Sequence, residues 1–168
     1  VAFQAGHEVS MNELSSKLGI GKNTVERYLD LFSKVYILFK LKAFSRNLRK
    51  EVTKNSKWFF YDNGIRNAII GNFNSLSTRN DTGQLWENYL ISERIKFQNY
   101  KRMFSNNFFW RTYDQQEIDW IEDRNGKLFG YEIKWKSKTV RIPAAWKKTY
   151  PDAAFEVISS ENYLDWIT

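Results

Sequence analysis

The chain of 168 residues contains no cysteine and a single histidine, His7. Without cysteine there are no disulfides, no thiolate nucleophile and no Cys-ligated zinc. One histidine is too few for a multi-His metal centre, and it leaves a Ser–His triad improbable. No segment approaches the roughly 20 uninterrupted apolar residues of a membrane span, and the N-terminus carries no signal-peptide pattern. The expectation is a cytoplasmic protein with no membrane partner. Any chemistry must come from carboxylates, lysines and hydroxyls.

What is present supports a packed core: 42% of residues are hydrophobic and 17% aromatic. The length suits one or two small domains. The net charge is +7, and residues 1–80 hold 13 Lys/Arg against 6 Asp/Glu, while residues 81–168 are balanced. A one-sided basic excess suits a polyanion such as DNA, solubility being the plainer alternative. The opening run VAFQAGHEVS reads as the tail of an amphipathic helix, which suggests a piece of a longer protein.

In the first half, SMNELSSKLGIGKNTVERYLDLF reads as two helices around a Gly-containing turn. Ser10 and Glu13 form a capping-box pattern, and Leu14 and Leu18 give the first helix its apolar face. Val25, Tyr28, Leu29 and Phe32 recur at helical spacing in the second. This is a helix-turn-helix pattern, and the second helix offers Lys22, Asn23, Thr24 and Arg27 to phosphates or base edges. The strand-like YILFKLKAF and KWFFYDN follow, separated by a loop with Arg46, Arg49, Lys50 and Lys54. A strand, a basic loop and a returning strand after the helix pair describe a winged helix that contacts DNA. A packing or regulatory role is the alternative.

The organisation expected is a winged helix-turn-helix domain over 1–70, a connector over 71–81 and a second domain over 82–168. Asp81 with Gln84 resembles a further capping box, opening a helix with Leu85, Trp86, Tyr89, Leu90 and Ile95 on its buried side and Glu87 off the centre of that stripe. Strands then follow, so the fold class is α+β, a mixed sheet flanked by helices.

The stretch EIDWIEDRNGKLFGYEIKWK holds the strongest chemical signal. Asn125-Gly126 is the favoured two-residue hairpin turn, because both positions need positive φ. With that turn Arg124 pairs with Lys127, Asp119 stands opposite Glu132, and Glu117 opposite Lys134. Strict alternation puts these four charged groups on one face and Ile118, Trp120, Tyr131, Ile133 and Trp135 on the other. Directly opposed carboxylates repel. A divalent cation, Mg²⁺ or Mn²⁺, relieves the repulsion, and Lys134 adds a positive charge beside it. A solvated face with Lys134 as charge partner is the alternative.

An Asp on one strand, Glu-x-Lys on the next and a preceding helical Glu resemble the PD-(D/E)XK nuclease fold. Here the pieces are Glu87, Asp119 (without a preceding proline) and Glu132-Ile133-Lys134. More widely, ELSSKLGIGKNTVERYLDLF, FSRNLRKEVTKNSKWFFYDNGIRN, GQLWENYLISER, FFWRTYDQQEIDWIE and YEIKWK resemble, over nearly the whole chain, the C-terminal part of bacterial and archaeal AAA-type ATPases, domain-of-unknown-function family 4143. The resemblance implies a winged helix and a PD-(D/E)XK-like domain attached to an N-terminal P-loop ATPase module. It makes Asp119 and Glu132 metal ligands with the Ile133 carbonyl as a third, Lys134 the catalytic lysine, and Glu87 the helix carboxylate that assists the metal. No G-x-x-x-x-G-K-[ST] occurs, so no ATP is expected on this chain. The function implied is the DNA-binding, nuclease-like portion of such an ATPase, with Mg-dependent endonuclease activity. The alternative is a non-catalytic DNA-binding or regulatory module, its nuclease-like fold holding nucleic acid or a protein partner.

Overall fold

The computed structural model describes residues 1–46, 56–136 and 139–168. Arg49, Lys50 and Lys54 of the expected wing lie outside the described residues.

The first helix, α1 (Met11–Leu18), begins where the Ser10 hydroxyl accepts the Glu13 N–H at 3.3 Å. Glu13 does not return the contact; its carboxylate pairs with Lys17 at 2.6 Å. Gly19, at φ 65, closes the helix in the left-handed region. The next helix, α2 (Lys22–Lys34), buries Val25 and Leu29. Tyr28 and Phe32, expected on the same stripe, lie outside it: Tyr28 is 54% exposed and Phe32 38%. The helix rests on its neighbours through a narrower face than its apolar residues would allow.

β1 (Leu38–Ala43) and β2 (Ser56–Phe60) form an antiparallel hairpin with Leu38 opposite Phe60. α3 (Asn63–Ile70) is capped by Asp62, which accepts the Ile65 N–H at 3.0 Å. After α4 (Thr82–Tyr100) come β3 (Asn106–Arg111), β4 (Glu117–Arg124), β5 (Lys127–Ile133), α5 (Ala144–Thr149), β6 (Ala154–Ile158) and α6 (Tyr163–Ile167). The six strands found among the described residues join one mixed sheet in the order β2-β1-β3-β4-β5-β6, so the sheet runs across the 71–81 connector. The seam is parallel, Lys42 beside Phe108 and Ala43 beside Phe109.

The two faces of the sheet are covered differently. Phe39, Leu41, Phe59, Phe109, Trp120, Tyr131 and Ile133 pack with Leu90 and Ile91 of α4 and Trp166 of α6. On the hairpin's other face, Leu38, Trp58 and Phe60 pack with Val25 and Leu29 of α2. Farther along that face Trp110, Ile121 and Leu128 meet Trp146 and Tyr150. The α1–α2 pair and α4 therefore lie on opposite sides of the β1–β2 hairpin.

Two polar arrangements depart from expectation. Asp81 occupies the position before α4 but makes no capping hydrogen bond. Its carboxylate accepts from Arg66 (2.7 Å) and Arg79 (2.8 Å), and Arg79 first, then Arg66, holds its carboxyl well below the usual range. Charge pairing with two guanidinium groups outcompetes a backbone N–H for the same oxygens. Second, the buried side of α4 is not purely apolar: Leu85, Leu90 and Ile91 are joined by Asn88, Ser92, Arg94 and Gln98, while Trp86, Tyr89 and Ile95 are only half-buried. Asn88 closes the end of β2, accepting the Phe60 N–H at 2.8 Å and donating to the Phe60 carbonyl at 2.9 Å. Glu122, fully buried on β4, accepts from Arg94 at 2.6 and 3.0 Å, from Gln98 at 2.8 Å and from the Trp120 indole at 3.0 Å. Among the described residues no helix is long and apolar enough to cross a membrane.

Candidate functional site

The hairpin of β4 and β5 turns at Asn125 (φ 52) and Gly126 (φ 79), and its register runs from Arg124↔Lys127 to Trp120↔Tyr131. There the ladder ends. The Asp119 carboxylate accepts the Ile133 N–H at 2.8 Å, standing in for a main-chain acceptor. On its other edge β4 pairs Ile121 with Phe108 but Ile118 with Trp110, so Asp119 and Trp120 together oppose Phe109. This is a β-bulge, a device that re-aims side chains. Strict alternation is thereby corrected: Ile118 packs with Ile121, Leu128 and Trp146, not with Trp120, Tyr131 and Ile133.

Charged groups from α4, β4, β5 and the residue after β5 act on one another: Asp119 on Glu87, Glu132 and Lys134, and Lys134 on Glu87 and Glu132. Lys134 Nζ pairs with Glu132 Oε1 at 2.6 Å. Burial, then the Asp119 carboxylate, pushes the Glu132 carboxyl up to about 7. Burial likewise raises Glu87 to about 8; Lys57 opposes the shift, and Asp119 and Glu117 add to it. Glu87 Oε1 is sealed from solvent without a hydrogen-bond partner among the described residues. Lys134 loses hydration on partial burial, but Asp119 and Glu132 outweigh that and raise its pKa.

The site also draws on residues that no motif marks. Lys57, 4% exposed on β2, reaches Glu117 at 2.5 Å and Glu87 at 3.6 Å. Arg111 pairs with Glu8 at 2.9 Å and reaches Glu117 at 3.9 Å. The opening residues are not a helix tail: a 3-10 turn over Ala2–Gln4 leads into a segment where Glu8 bridges Lys57 along β2. Hydrogen bonding to the open edge of β2 favours the extended form there. In that segment Gly6, at φ 78, lies against the Glu87 carboxyl, and a Cβ there would stand 3.2 Å from Oε2. Gly6→Ala is therefore expected to lower stability by about 1–2 kcal/mol from the positive φ alone, measured by denaturant unfolding. Glu87→Ala, which removes the opposing carboxyl, should recover only the steric part.

For a metal, the donors are hard oxygens suited to Mg²⁺ or Mn²⁺. Asp119 Oδ2 and Glu132 Oε1 are engaged, and each residue keeps its other oxygen without a hydrogen bond from a described residue. Two carboxylate oxygens plus waters fit such an ion. Among the described residues no cluster of three or more His, Cys, Asp or Glu side chains stands ready to hold one. The Ile133 main chain is present at the site through its N–H.

The nucleic-acid candidates lie elsewhere. Lys22, Asn23, Thr24 and Arg27 are exposed on the first turns of α2, across the hairpin from Lys57 and Glu87. Arg46 leaves β1 toward Asp123, at 3.5 Å, and its guanidinium lies 5.6 Å from the Phe44 ring.

Residues 82–161 match the family model described as "Domain of unknown function (DUF4143)", and residues 1–76 match the one described as "Domain of unknown function (DUF8612)". The family-4143 resemblance is thus carried by the second half, and the first 76 residues fall to a different family model. Uncharacterised proteins of Mycobacterium bovis and Mycobacterium tuberculosis are each 24% identical over 136 residues, 80% of this chain and 30% of theirs. An uncharacterised protein of Haemophilus influenzae is 28% identical over 64 residues, 38% of this chain and 16% of its own length. The chain spans under a third of the length of these curated relatives. No solved structure matches it.

Proposed function

We propose that the second half is a PD-(D/E)XK-like domain that binds one or more divalent cations and hydrolyses phosphodiester bonds in DNA, as part of an AAA-type ATPase whose P-loop module lies outside this chain. The observation that carries the reading is Asp119, beside a β-bulge, accepting the Ile133 N–H at 2.8 Å, with the neighbours of Ile133 in sequence, Glu132 and Lys134, paired at 2.6 Å. A cation on Asp119 and Glu132 would polarise the phosphoryl oxygen and acidify water. Lys134 supplies a fixed ammonium to the charge that develops on phosphorus-bound oxygen. Water adds to phosphorus, one P–O ester bond breaks, and the water's proton ends on the departing alkoxide. In the same reading α1, α2 and the β1–β2 hairpin form a winged helix, and Lys22, Asn23, Thr24, Arg27 and Arg46 lie along the phosphate backbone.

Calorimetric titration of Mg²⁺ and Mn²⁺ tests the centre. Binding is expected in the wild type and lost in Asp119→Ala/Glu132→Ala, with nicking of supercoiled DNA lost in Glu132→Ala while DNA affinity persists. Absence of metal binding in the wild type would overturn the catalytic reading. A second reading then takes its place, favoured by the Lys134–Glu132 pair and the lack of a three-carboxylate cluster among the described residues. It is a nuclease-shaped module that holds nucleic acid without cutting it, recognisable by steeply salt-dependent DNA binding.

A further inference from the structure

Lys57 belongs to the hairpin half of the molecule, yet its ammonium sits among the carboxylates of the other half. Nζ lies 2.5 Å from Glu117 Oε1, 3.6 Å from Glu87 Oε1 and 5.4 Å from the Phe109 ring centroid, on a side chain 4% exposed. Burial alone would lower its pKa; Glu87, Asp119 and Glu117 overcome this and raise it above the ordinary lysine value. The amine is a permanent cation at any physiological pH. It divides the four carboxylates into two sets. Glu117 has Lys57 on one oxygen and Arg111 at 3.9 Å from the other. Glu87 has Lys57 on one side and the Gly6 backbone against its carboxyl. Asp119 and Glu132 instead keep an oxygen each with no hydrogen bond from a described residue.

We propose that Lys57 is the built-in cation of this centre, filling the place between Glu87 and Glu117 that a second metal would need, so that the site takes a single divalent ion on Asp119 and Glu132. The inference rests on the metal-dependent reading above and deepens it. A dication beside a buried ammonium is repelled at short range in a medium that screens poorly. Glu87 and Glu117 would have to release Lys57 before they could ligate, leaving a buried charge unpaired. Glu117 and Glu87 are on this view positioning residues: they flank Lys57 at 2.5 and 3.6 Å, and Lys57 acts on the neighbouring Asp119.

Ion counting on the metal-free chain with Mn²⁺, by calorimetry and by the paramagnetic signal of free Mn²⁺, decides the matter. One ion per wild-type chain is expected, and Glu117→Gln should still bind one, because Glu117 is not a ligand. Two ions in the wild type, or loss of the ion in Glu117→Gln, would overturn the inference while leaving a metal site in place. No ion in the wild type would overturn this inference and the metal-dependent reading together. In Lys57→Met, provided circular dichroism shows the native fold, a second ion should appear; a count that stays at one would show that Lys57 excludes nothing. If that variant does not fold, the wild-type and Glu117→Gln counts decide alone.

Discussion

Replacing Arg94 by alanine is expected to destabilise the fold by about 3–5 kcal/mol, the cost typical of breaking a buried ion pair from one side. For a chain of this length that corresponds to a fall in Tm of roughly 6–20 °C. Glu122 is 0% exposed, and Arg94 meets it through two hydrogen bonds of 2.6 and 3.0 Å while also donating to the Trp166 carbonyl. The guanidinium thus ties α4 to β4 and to the last helix in one contact set. Removing it leaves a carboxylate inside the core with, among the described residues, Gln98, the Trp120 indole and the more distant Arg124 at 3.3 Å. Arg94→Met with Glu122→Leu should recover part of the loss, since no charge is then stranded, although Gln98 and Trp120 lose their acceptor. Urea unfolding of the single and double variants checks both. An Arg94→Ala variant within 1 kcal/mol of wild type would show that the pair is not the fastening it resembles.

The stability of the metal-free protein is expected to fall as pH rises from about 5 to 8. Both Glu132 and Glu87 have an ordinary value of 4.5, and in the folded chain they are pushed to about 7 and about 8. Burial is the main cause in each. Asp119 and Glu117 add repulsion, and the ammonium groups of Lys57 and Lys134 pull the other way. Between the two sets of values the folded state holds protons that the unfolded chain has released, so raising pH favours unfolding. The contribution is complete below about 4.5 and gone above about 8. For Glu132 alone the displacement corresponds to about 3 kcal/mol. Glu132→Gln should flatten the slope over pH 5–7, as followed by chemical denaturation in a pH series. Mn²⁺ affinity should climb over the same interval, because the ligands must first lose their protons. A stability that instead rises steadily from pH 5 to 8 would contradict this environment for the two carboxyls.

The hairpin register was legible near the turn because it is local: Asn125-Gly126 admits one tight turn, and counting outward gives the pairs from Arg124↔Lys127 to Trp120↔Tyr131, but the ladder stops there, short of the expected pairs of Asp119 with Glu132 and of Glu117 with Lys134. The bulge was not legible. No glycine marks it, and it arises from how β4 meets β3, a strand whose pairing the hairpin pattern does not contain. Ile118 was accordingly assigned to the wrong face. Lys57 was hidden for a related reason. Its only local mark is a lysine leading the apolar run Trp58-Phe59-Phe60, and its partners Glu87 and Glu117 come from other parts of the chain. Propensity also misled where polar partners compete: Asp81 has the residue type of a helix cap, but Arg66 and Arg79 claim it. The apolar spacing of α2 identified the helix and overstated the width of its buried face, since Tyr28 and Phe32 follow the period yet stay exposed.

The parallel seam between β1 and β3 has a kinetic consequence. The β3–β4–β5 meander joins strands that are neighbours in sequence, whereas the seam brings Lys42 to Phe108 across the whole of β2, α3 and α4. Closing a long loop costs entropy before its contacts return anything, so the seam is expected to form more slowly than the pairs between strands adjacent in sequence. The carboxylate cluster takes Lys57 from one side of that seam and Glu117 from the other. The finished site therefore depends on a pairing between distant parts of the chain, and a change that weakens the seam is expected to disturb the cluster without touching any of its acids.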